Sequence, residues 1–443
     1  MSELERRIET LLNELTVAFA ELVHENETLR RRLRQNQNRN SLGLSRIDHR
    51  FKSMFRQVAK PELQQWLPVH QLTGHQDGIL DVSTSPINHY FAATASVDCS
   101  VIVWDVCRKV QSYIFNHHAG AVNSARFHPS LPMIVTGSGD ETSAIFNLAK
   151  TRHSSQTAST TSVAVNQEED VELHRNLSPV RSLSWPRLDN DLVVEIDNDQ
   201  SAQKKRSNSV PSLSNCRTIS EADQVLRGHD GPVTSSDWVF DGSQIASGSW
   251  DGQCLIFDIG NGTATLARRL KGHAGRISNL STTTSSKLVL TASQDETICL
   301  WDLRQASQSV SIFRSHTAEV TSAVFSTGHH GDLIASSSED RTVQIFDIRI
   351  VKKPLTEIAC ASRTNKLCFS PNGSLLTLPG DDGSLNSYNI SGELVIKGGT
   401  ARKSDVDMVC AASWTCDSAQ LLSVGWDGNL TSWVTSEPEI LVS

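Results

Sequence analysis

The sequence lacks the features of a metal site, a disulfide-bonded domain or a membrane span. Its nine cysteines form no C-x-x-C pair, their spacing fits no metal site, and Cys254, Cys299 and Cys368 fall within predicted strands. No apolar run is long enough to cross a bilayer, and the N-terminus has no apolar core of a secretion signal. We therefore expect reduced thiols in the core of a cytoplasmic protein, which could also enter the nucleus, with no metal, no cofactor and no integral membrane segment.

Charge is divided unevenly along the chain. The net charge is −8, but the first 60 residues hold twelve Lys and Arg against eight Asp and Glu, which leaves 29 against 41 in the remainder. A basic N-terminal part on an acidic body does not indicate a dedicated nucleic-acid binder. With 38% apolar residues and only 13 prolines among 443 residues, the chain can bury a large core.

Five segments share one spacing of His, Asp and an aromatic residue. The Asp follows the His after 22 to 24 residues, and a Trp or Phe stands six residues beyond the Asp. The five sets are His75/Asp98/Trp104, His118/Asp140/Phe146, His229/Asp251/Phe257, His273/Asp295/Trp301 and His316/Asp340/Phe346. Successive His are 43 or 44 residues apart, except where one long insertion intervenes, and this period predicts a repeated unit of four short strands.

Two weaker repeats follow the five full ones. Asp382 precedes Tyr388 by six residues and Asp427 precedes Trp433 by six, but neither has the upstream His. An Asp or Asn also follows the aromatic residue of every full repeat. The pattern resembles the WD-repeat family of β-propellers, and the resemblance implies an all-β, seven-bladed propeller.

The blades are expected to occupy residues 66–148 and 223–436, followed by a tail at 437–443. After Trp433 only ten residues remain, so the last blade lacks a C-terminal strand at its outer edge. Residues 66–72 can supply that strand. The ring would then close by pairing N-terminal with C-terminal chain, which leaves only short, protected edges.

Hydroxyl residues alternate along one strand of each full repeat, as in Thr94 and Ser96. The resemblance implies that one such hydroxyl joins the His, the turn Asp and the Trp indole in a hydrogen-bonded structural tetrad. An unpartnered buried Asp or His would cost about 1 to 3 kcal/mol. A Ser/His/Asp set is also typical of a hydrolase, but a nucleophile is needed once and the set occurs five times, so we predict no catalytic site.

Residues 1–36 are predicted to form a coiled-coil helix, begun by Ser2 and Glu5 as a capping box. Two series of residues repeat by sevens, and an Asn stands among the apolar ones, which favours a parallel two-stranded homodimer. The predicted core is Ile8, Leu12, Leu15, Phe19, Leu22, Asn26, Leu29 and Leu33. The alternative is an amphipathic helix that docks on the propeller. The basic linker at 37–65 contains a second amphipathic pattern, which fits a solvated connector, an anionic membrane surface or a protein partner.

The insertion at residues 149–222 separates the second and third repeats. It is rich in Ser, Thr, Asn and acidic residues, so we expect disorder. Residues 181–186 and 206–211 both read R-S-x-S-x-P, which is similar to the phosphoserine motif bound by 14-3-3 adaptors. The candidate phosphoserines are Ser184 and Ser209, and chance in a Ser-rich loop is the alternative.

The combination of helix, basic linker, blades and acidic insertion is similar to one subgroup of the WD-repeat family. The similarity is carried by residues 139–142, 236–238, 320–325 and 408–410. It implies a non-enzymatic scaffold that associates with phosphofurin acidic cluster sorting adaptors and bears on endoplasmic-reticulum calcium handling.

A second hypothesis concerns two arginines that follow the aromatic residues of adjacent repeats. Arg304 and Arg349 complete sequences similar to the W-D-x-R box of substrate receptors of cullin-type ubiquitin ligases. Arg is also common at this position as a turn residue. Both explanations are open at the level of sequence.

The coiled coil generates a prediction about mass in solution. Removing residues 1–36 should halve the mass measured by light scattering and leave the circular dichroism of the strands unchanged, because the helix pairs two otherwise independent propellers. A full-length chain that is monomeric at micromolar concentration would contradict the heptad interpretation.

Overall fold

The regular elements that the structure describes are all β-strands, which confirms the all-β class. The predicted coiled coil, the linker up to residue 62, and Ser184 and Ser209 lie outside the described residues. The computed structural model describes residues 63–88, 90–149, 216–260, 263–283, 286–305, 311–328, 332–350, 353–399 and 408–436. Within them, no helix is long and apolar enough to cross a membrane.

The first strand precedes the repeats, and the first two repeats follow it. These strands are β1 (Gln64–Thr73), β2 (Ile79–Thr84), β3 (Phe91–Ser96), β4 (Val101–Asp105), β5 (Val110–Phe115), β6 (Val122–Phe127), β7 (Met133–Ser138), β8 (Ser143–Asn147), β9 (Arg217–Ile219) and β10 (Gln224–Leu226). β2 to β5 form an antiparallel sheet, with β9 added in parallel at the outer edge of β5. β6, β7, β8 and β10 form the next sheet.

Each of the next three repeats forms one four-stranded antiparallel sheet from consecutive strands. The strands of the first two are β11 (Val233–Val239), β12 (Gln244–Ser249), β13 (Gln253–Gly260), β14 (Thr263–Lys271), β15 (Ile277–Thr282), β16 (Leu288–Ser293), β17 (Ile298–Asp302) and β18 (Ser311–Phe313). The strands of the third are β19 (Val320–Phe325), β20 (Leu333–Ser338), β21 (Thr342–Asp347) and β22 (Thr356–Ala359).

The two weaker repeats share one eight-stranded sheet with β1, which we call the closing sheet. Its other strands are β23 (Cys368–Phe369), β24 (Leu375–Pro379), β25 (Leu385–Asn389), β26 (Leu394–Lys397), β27 (Val409–Trp414), β28 (Leu421–Gly425) and β29 (Asn429–Thr435). β1 pairs in parallel with β26 through Gln64 and Gln65, and antiparallel with β29 from Trp66 to Thr73. The segment predicted to complete the last repeat therefore pairs with β29, and it joins β26 as well.

The first strands of successive sheets contact one another in a circuit. β2 contacts β6, β6 contacts β11, and the series continues through β15, β19 and β23 to β27, which contacts β2 again. One apolar cluster spans the junction of the last and first repeats, with Ile79 and Trp104 packed near Leu422 and Leu430. Middle strands such as β3 and β4 are buried on both faces, because a neighbouring sheet packs on each side.

The insertion differs from its prediction at its C-terminal end. Residues 149–222 were all expected to be disordered, but Arg217–Ile219 forms β9 and the amide of Asn116 donates to the carbonyl of Ile219 at 3.0 Å. Ile219 also packs against the core of the first two repeats. The physical reason is that the outer edge of β5 has unpaired backbone groups, and Arg217–Ile219 forms hydrogen bonds with them where the chain returns to the sheet.

The cysteines all lie in the described residues, and all nine are free. Cys254 and Cys299 are buried within β13 and β17, and burial raises the pKa of the Cys254 thiol. These two thiols pack as small apolar residues, as expected.

Trp66 generates a prediction about closure. Its ring is buried beside Trp414 with centroids 5.3 Å apart, and its indole donates to Oγ of Ser387 at 3.3 Å. Trp66→Ala should lower the free energy of unfolding by about 3 to 5 kcal/mol. The neighbouring Leu67 is 46% exposed, so Leu67→Ala is the matched control and should cost less than about 1 kcal/mol in urea denaturation. Equal small losses would show that β1 contributes little to closure.

Candidate functional site

The turn between the second and third strand is built in the same way in every repeat. Oδ1 of the turn Asp accepts a hydrogen bond from the backbone amide two residues later, at 2.8–3.1 Å, in the weak repeats as well as the full ones. The intervening residue is left-handed, with φ between 64° and 77°, at Cys99, Glu141, Gly252, Glu296, Arg341, Gly383 and Gly428. Four of these residues are not glycine, so the Asp side chain stabilises an otherwise unfavourable backbone.

The five predicted His residues meet their predicted Asp partners. Nδ1 of each His lies 2.8–2.9 Å from Oδ2 of the turn Asp, and Nε2 lies 2.7–2.8 Å from a strand hydroxyl. Oδ2 also accepts the backbone amide of the residue after the His. The sets are His75/Asp98/Thr94, His118/Asp140/Thr136, His229/Asp251/Ser247, His273/Asp295/Thr291 and His316/Asp340/Ser336.

The indole donor completes the set where the repeat has Trp. Nε1 of Trp104 donates to Oγ1 of Thr94 at 2.8 Å, and Nε1 of Trp301 donates to Thr291 at 2.9 Å. Where Phe replaces Trp, as at Phe146 and Phe346, the ring is buried and contributes packing. The five hydroxyls are fully buried, so no substrate can reach them.

The electrostatic balance differs between repeats of similar geometry. Burial would raise the pKa of Asp295, but hydrogen bonds from His273 and Thr297 outweigh it and lower that pKa. Burial would lower the pKa of His273, but Asp295 and the contact with Cys299 raise it to about 9. At His118 burial prevails over Asp140 and lowers the pKa, and the adjacent His117 acts in the same direction.

The weak repeats satisfy their hydroxyls with tryptophans instead of histidine. Trp414, in β27, donates to Oγ1 of Thr377 at 3.0 Å, and Thr377 lies 2.8 Å from the hydroxyl of Ser387, which Trp66 contacts. Trp433 donates to Ser423 at 2.8 Å. The Trp66 and Trp414 contacts were not predicted, and the only signal for them in the sequence is a hydroxyl such as Thr377 in a repeat without His.

A buried charged cluster joins repeats that are distant in sequence. Arg126 in β6 lies 2.7 Å from Oδ2 of Asp81 in β2, and Lys366 lies 3.5 Å from the same oxygen. Lys366 also donates to the carbonyl of Asn123 at 2.7 Å, and burial raises the pKa of the nearby Asp237. This cluster was not predicted, because each charge occurs once and follows no repeat.

The two ligase-box candidates fold back on their own turns. Arg304 donates through Nε and an Nη to Asp302, and Arg349 does the same to Asp347. Both guanidinium groups are two-thirds exposed. The hydrogen bonds lower the pKa of Asp347 to about 2. This geometry is that of a turn residue.

Two tryptophans are exposed at equivalent positions on one side of the circuit. Trp250 and Trp426 each precede the turn Asp of their repeat, and they are 50% and 48% exposed. Exposed tryptophan is uncommon on a protein surface and is enriched where proteins bind one another. Among the described residues no cluster of His, Cys, Asp and Glu could hold a metal ion.

Comparison with known proteins identifies relatives across most of the chain. A family model for the WD domain, G-beta repeat, matches residues 66–105, 109–147, 221–258, 264–302 and 307–347. The chain is 31% identical to human WD repeat-containing protein 37 over 377 residues, which are 84% of this chain and 69% of that protein. The mouse protein of that name is 30% identical over 84% of this chain and 70% of its own length. A guanine nucleotide-binding protein subunit beta of Oryza sativa subsp. indica is 21% identical, over 82% of each chain.

Asp295 generates a prediction about the tetrads. Asp295→Ala should lower the free energy of unfolding by about 2 to 4 kcal/mol, because the His273 ring and the backbone amides of Ala274 and Thr297 would lose their hydrogen-bond acceptor. Asp427→Ala, at an exposed turn without His, should cost less, about 1 kcal/mol. Thermal and urea unfolding measure both variants. Equal losses would show that turn geometry alone sets the cost.

Proposed function

Since the chain belongs to the WD-repeat family, together with WD repeat-containing protein 37, we propose that it is a non-enzymatic protein-interaction scaffold. The main observation behind this proposal is that the Ser and Thr hydroxyls of the Ser/Thr, His and Asp sets are buried and hydrogen-bonded within the sheets, while two tryptophans are exposed at turns. A hydroxyl without access to solvent cannot act as a nucleophile on a substrate. We therefore assign partner binding to exposed surface such as these turns.

The scaffold is further proposed to be a seven-bladed ring closed by β1. Support comes from the circuit of first strands and from the same aspartate turn in each repeat, including those at Asp382 and Asp427. β1 supplies the outer strand next to β29.

The proposed partners are phosphofurin acidic cluster sorting adaptors, with a role in endoplasmic-reticulum calcium handling. The support for both is the similarity to WD repeat-containing protein 37. We also propose a homodimer through residues 1–36 and a cytoplasmic location that could include the nucleus.

Affinity capture tests the function. The full-length chain, captured from cells and analysed by mass spectrometry, should be enriched in sorting adaptors. The control is a chain with Arg304→Ala and Arg349→Ala, which should capture the same proteins because both side chains are engaged within their own turns. Dominance of cullin-ligase subunits, lost in this variant, would replace the proposal with the ligase-receptor alternative.

The insertion is proposed to be a phosphorylation-dependent site for 14-3-3 adaptors. Ser184 and Ser209 are 25 residues apart, a length of chain that can reach both grooves of one dimeric adaptor. Ser209→Ala in the phosphorylated chain should weaken binding by about tenfold or more. The double variant with Ser184→Ala should abolish it, as measured by fluorescence anisotropy. Unchanged binding in the double variant would show that the two motifs occur by chance and do not bind 14-3-3 adaptors.

A further inference from the structure

Trp426 is an exposed aromatic platform at the junction of the last and first repeats. It stands at the turn between β28 and β29, and its ring lies against Gly78 in the loop that enters β2. A Cβ on Gly78 would lie 2.7 Å from Cε3 of Trp426, so only glycine leaves room for the ring in this position. The platform is therefore built by two repeats, and the contact with Gly78 defines the position of the ring.

Two aspartates belong to the chain segments that build this platform, and Oδ1 of Asp77 accepts a hydrogen bond from the amide of Gly78 at 2.7 Å. Asp77 precedes Gly78, Asp427 follows Trp426, and both are exposed. The turns that contain these two aspartates pack closely against each other. A Cβ added to Gly428 would lie only 3.2 Å from the carbonyl oxygen of Asp77. In the full repeats the turn Asp binds a His, but Asp427 accepts hydrogen bonds only from neutral groups of Gln71 and Asn429. No Lys or Arg of the described residues forms an ion pair with Asp77 or Asp427.

The equivalent tryptophan shows what such a ring binds. The guanidinium carbon of Arg276 lies 4.7 Å from the centroid of the Trp250 ring. Arg276 stands three residues after His273, in the repeat that follows Trp250. The same position in the repeat that follows Trp426, three residues after His75, is Gly78. The Trp426 platform thus lacks the cation that Arg276 places on Trp250, and its two neighbouring aspartates have no ion-pair partner among the described residues.

We propose that Trp426, Asp77 and Asp427 form a binding site for an arginine side chain presented by a partner protein. A planar guanidinium can stack on the indole and donate to the flanking carboxylates at the same time. The inference rests on the proposed scaffold function and names the chemistry of one contact that the scaffold makes.

The test uses the full-length chain labelled with 5-fluorotryptophan and followed by ¹⁹F NMR. The probe is the capped tripeptide acetyl-Gly-Arg-Gly-amide, and acetyl-Gly-Gln-Gly-amide is the neutral control. The Trp426 resonance, assigned by its loss in Trp426→Phe, should shift with the arginine peptide alone, with a dissociation constant in the millimolar range expected for a single side chain. Asp77→Asn and Asp427→Asn should each weaken binding about two- to fivefold, and added salt should do the same.

Trp250 is the matched control within the same molecule. Its resonance should respond less than that of Trp426, because the Arg276 guanidinium already occupies a stacking position on the ring, and Trp250→Ala should leave peptide affinity at Trp426 unchanged. Trp426→Ala should weaken binding about three- to fivefold, measured by isothermal titration. Thermal unfolding of each variant shows whether it has kept its fold.

Two outcomes would overturn the inference. One is no response of Trp426 to the arginine peptide, or an equal response to the glutamine peptide. The other is a response that emerges only in Arg402→Ser/Lys403→Ser, which would assign the platform to the chain's own residues 400–407. Either result leaves the affinity-capture test of the scaffold function unaffected, so the two failures are distinguishable.

Discussion

The turn aspartate organises each full repeat through its two oxygens. Oδ1 holds the turn by accepting the amide two residues later, which keeps a left-handed residue such as Glu141 or Arg341 in place. Oδ2 holds a different part of the chain. It accepts hydrogen bonds from the His side chain and from the backbone amide of the next residue, which both precede the first strand of the repeat. One carboxylate thus fixes both the hairpin and its position relative to the preceding strand. The aromatic residue and the sheet packing depend on that alignment.

The weak repeats show what happens where the His is absent. Both turns keep the Oδ1 contact. In the last repeat Trp433 bonds a hydroxyl of its own repeat, whereas in the first weak repeat the strand hydroxyls bond tryptophans from other elements, Trp414 from β27 and Trp66 from β1. This solution is long-range, since Trp66 and Ser387 are far apart in sequence. Blade formation and closure are therefore coupled at this junction, whereas a full repeat aligns its strands with its own residues. The same junction carries the exposed Trp426.

The repeating part of the fold could be predicted because its signal is local and periodic. The spacing of His273, Asp295 and Trp301 defines two strands and their turn, and the structure brings those residues together. The contacts that the sequence analysis missed have no period. The Lys366 contact with Asp81 joins β2 to the segment before β23, far away in sequence, and β9 adds to an edge that only the folded sheet creates. Such pairings are decided by tertiary geometry, which spacing within a repeat does not contain.

Departures from the repeat carry more information about function than the repeat does. A residue present in every unit, such as the turn Asp, is explained by the architecture alone. A residue that breaks the pattern at an exposed position has no such explanation, and Trp426 is one, since the residue before the turn Asp is a Trp only here and at Trp250. The buried cluster around Asp81 breaks the pattern too, but its charges are matched internally by Arg126 and Lys366. Charge left unmatched at a solvent-exposed aromatic ring has to find its counterpart outside the described fold, in solvent ions or in a partner.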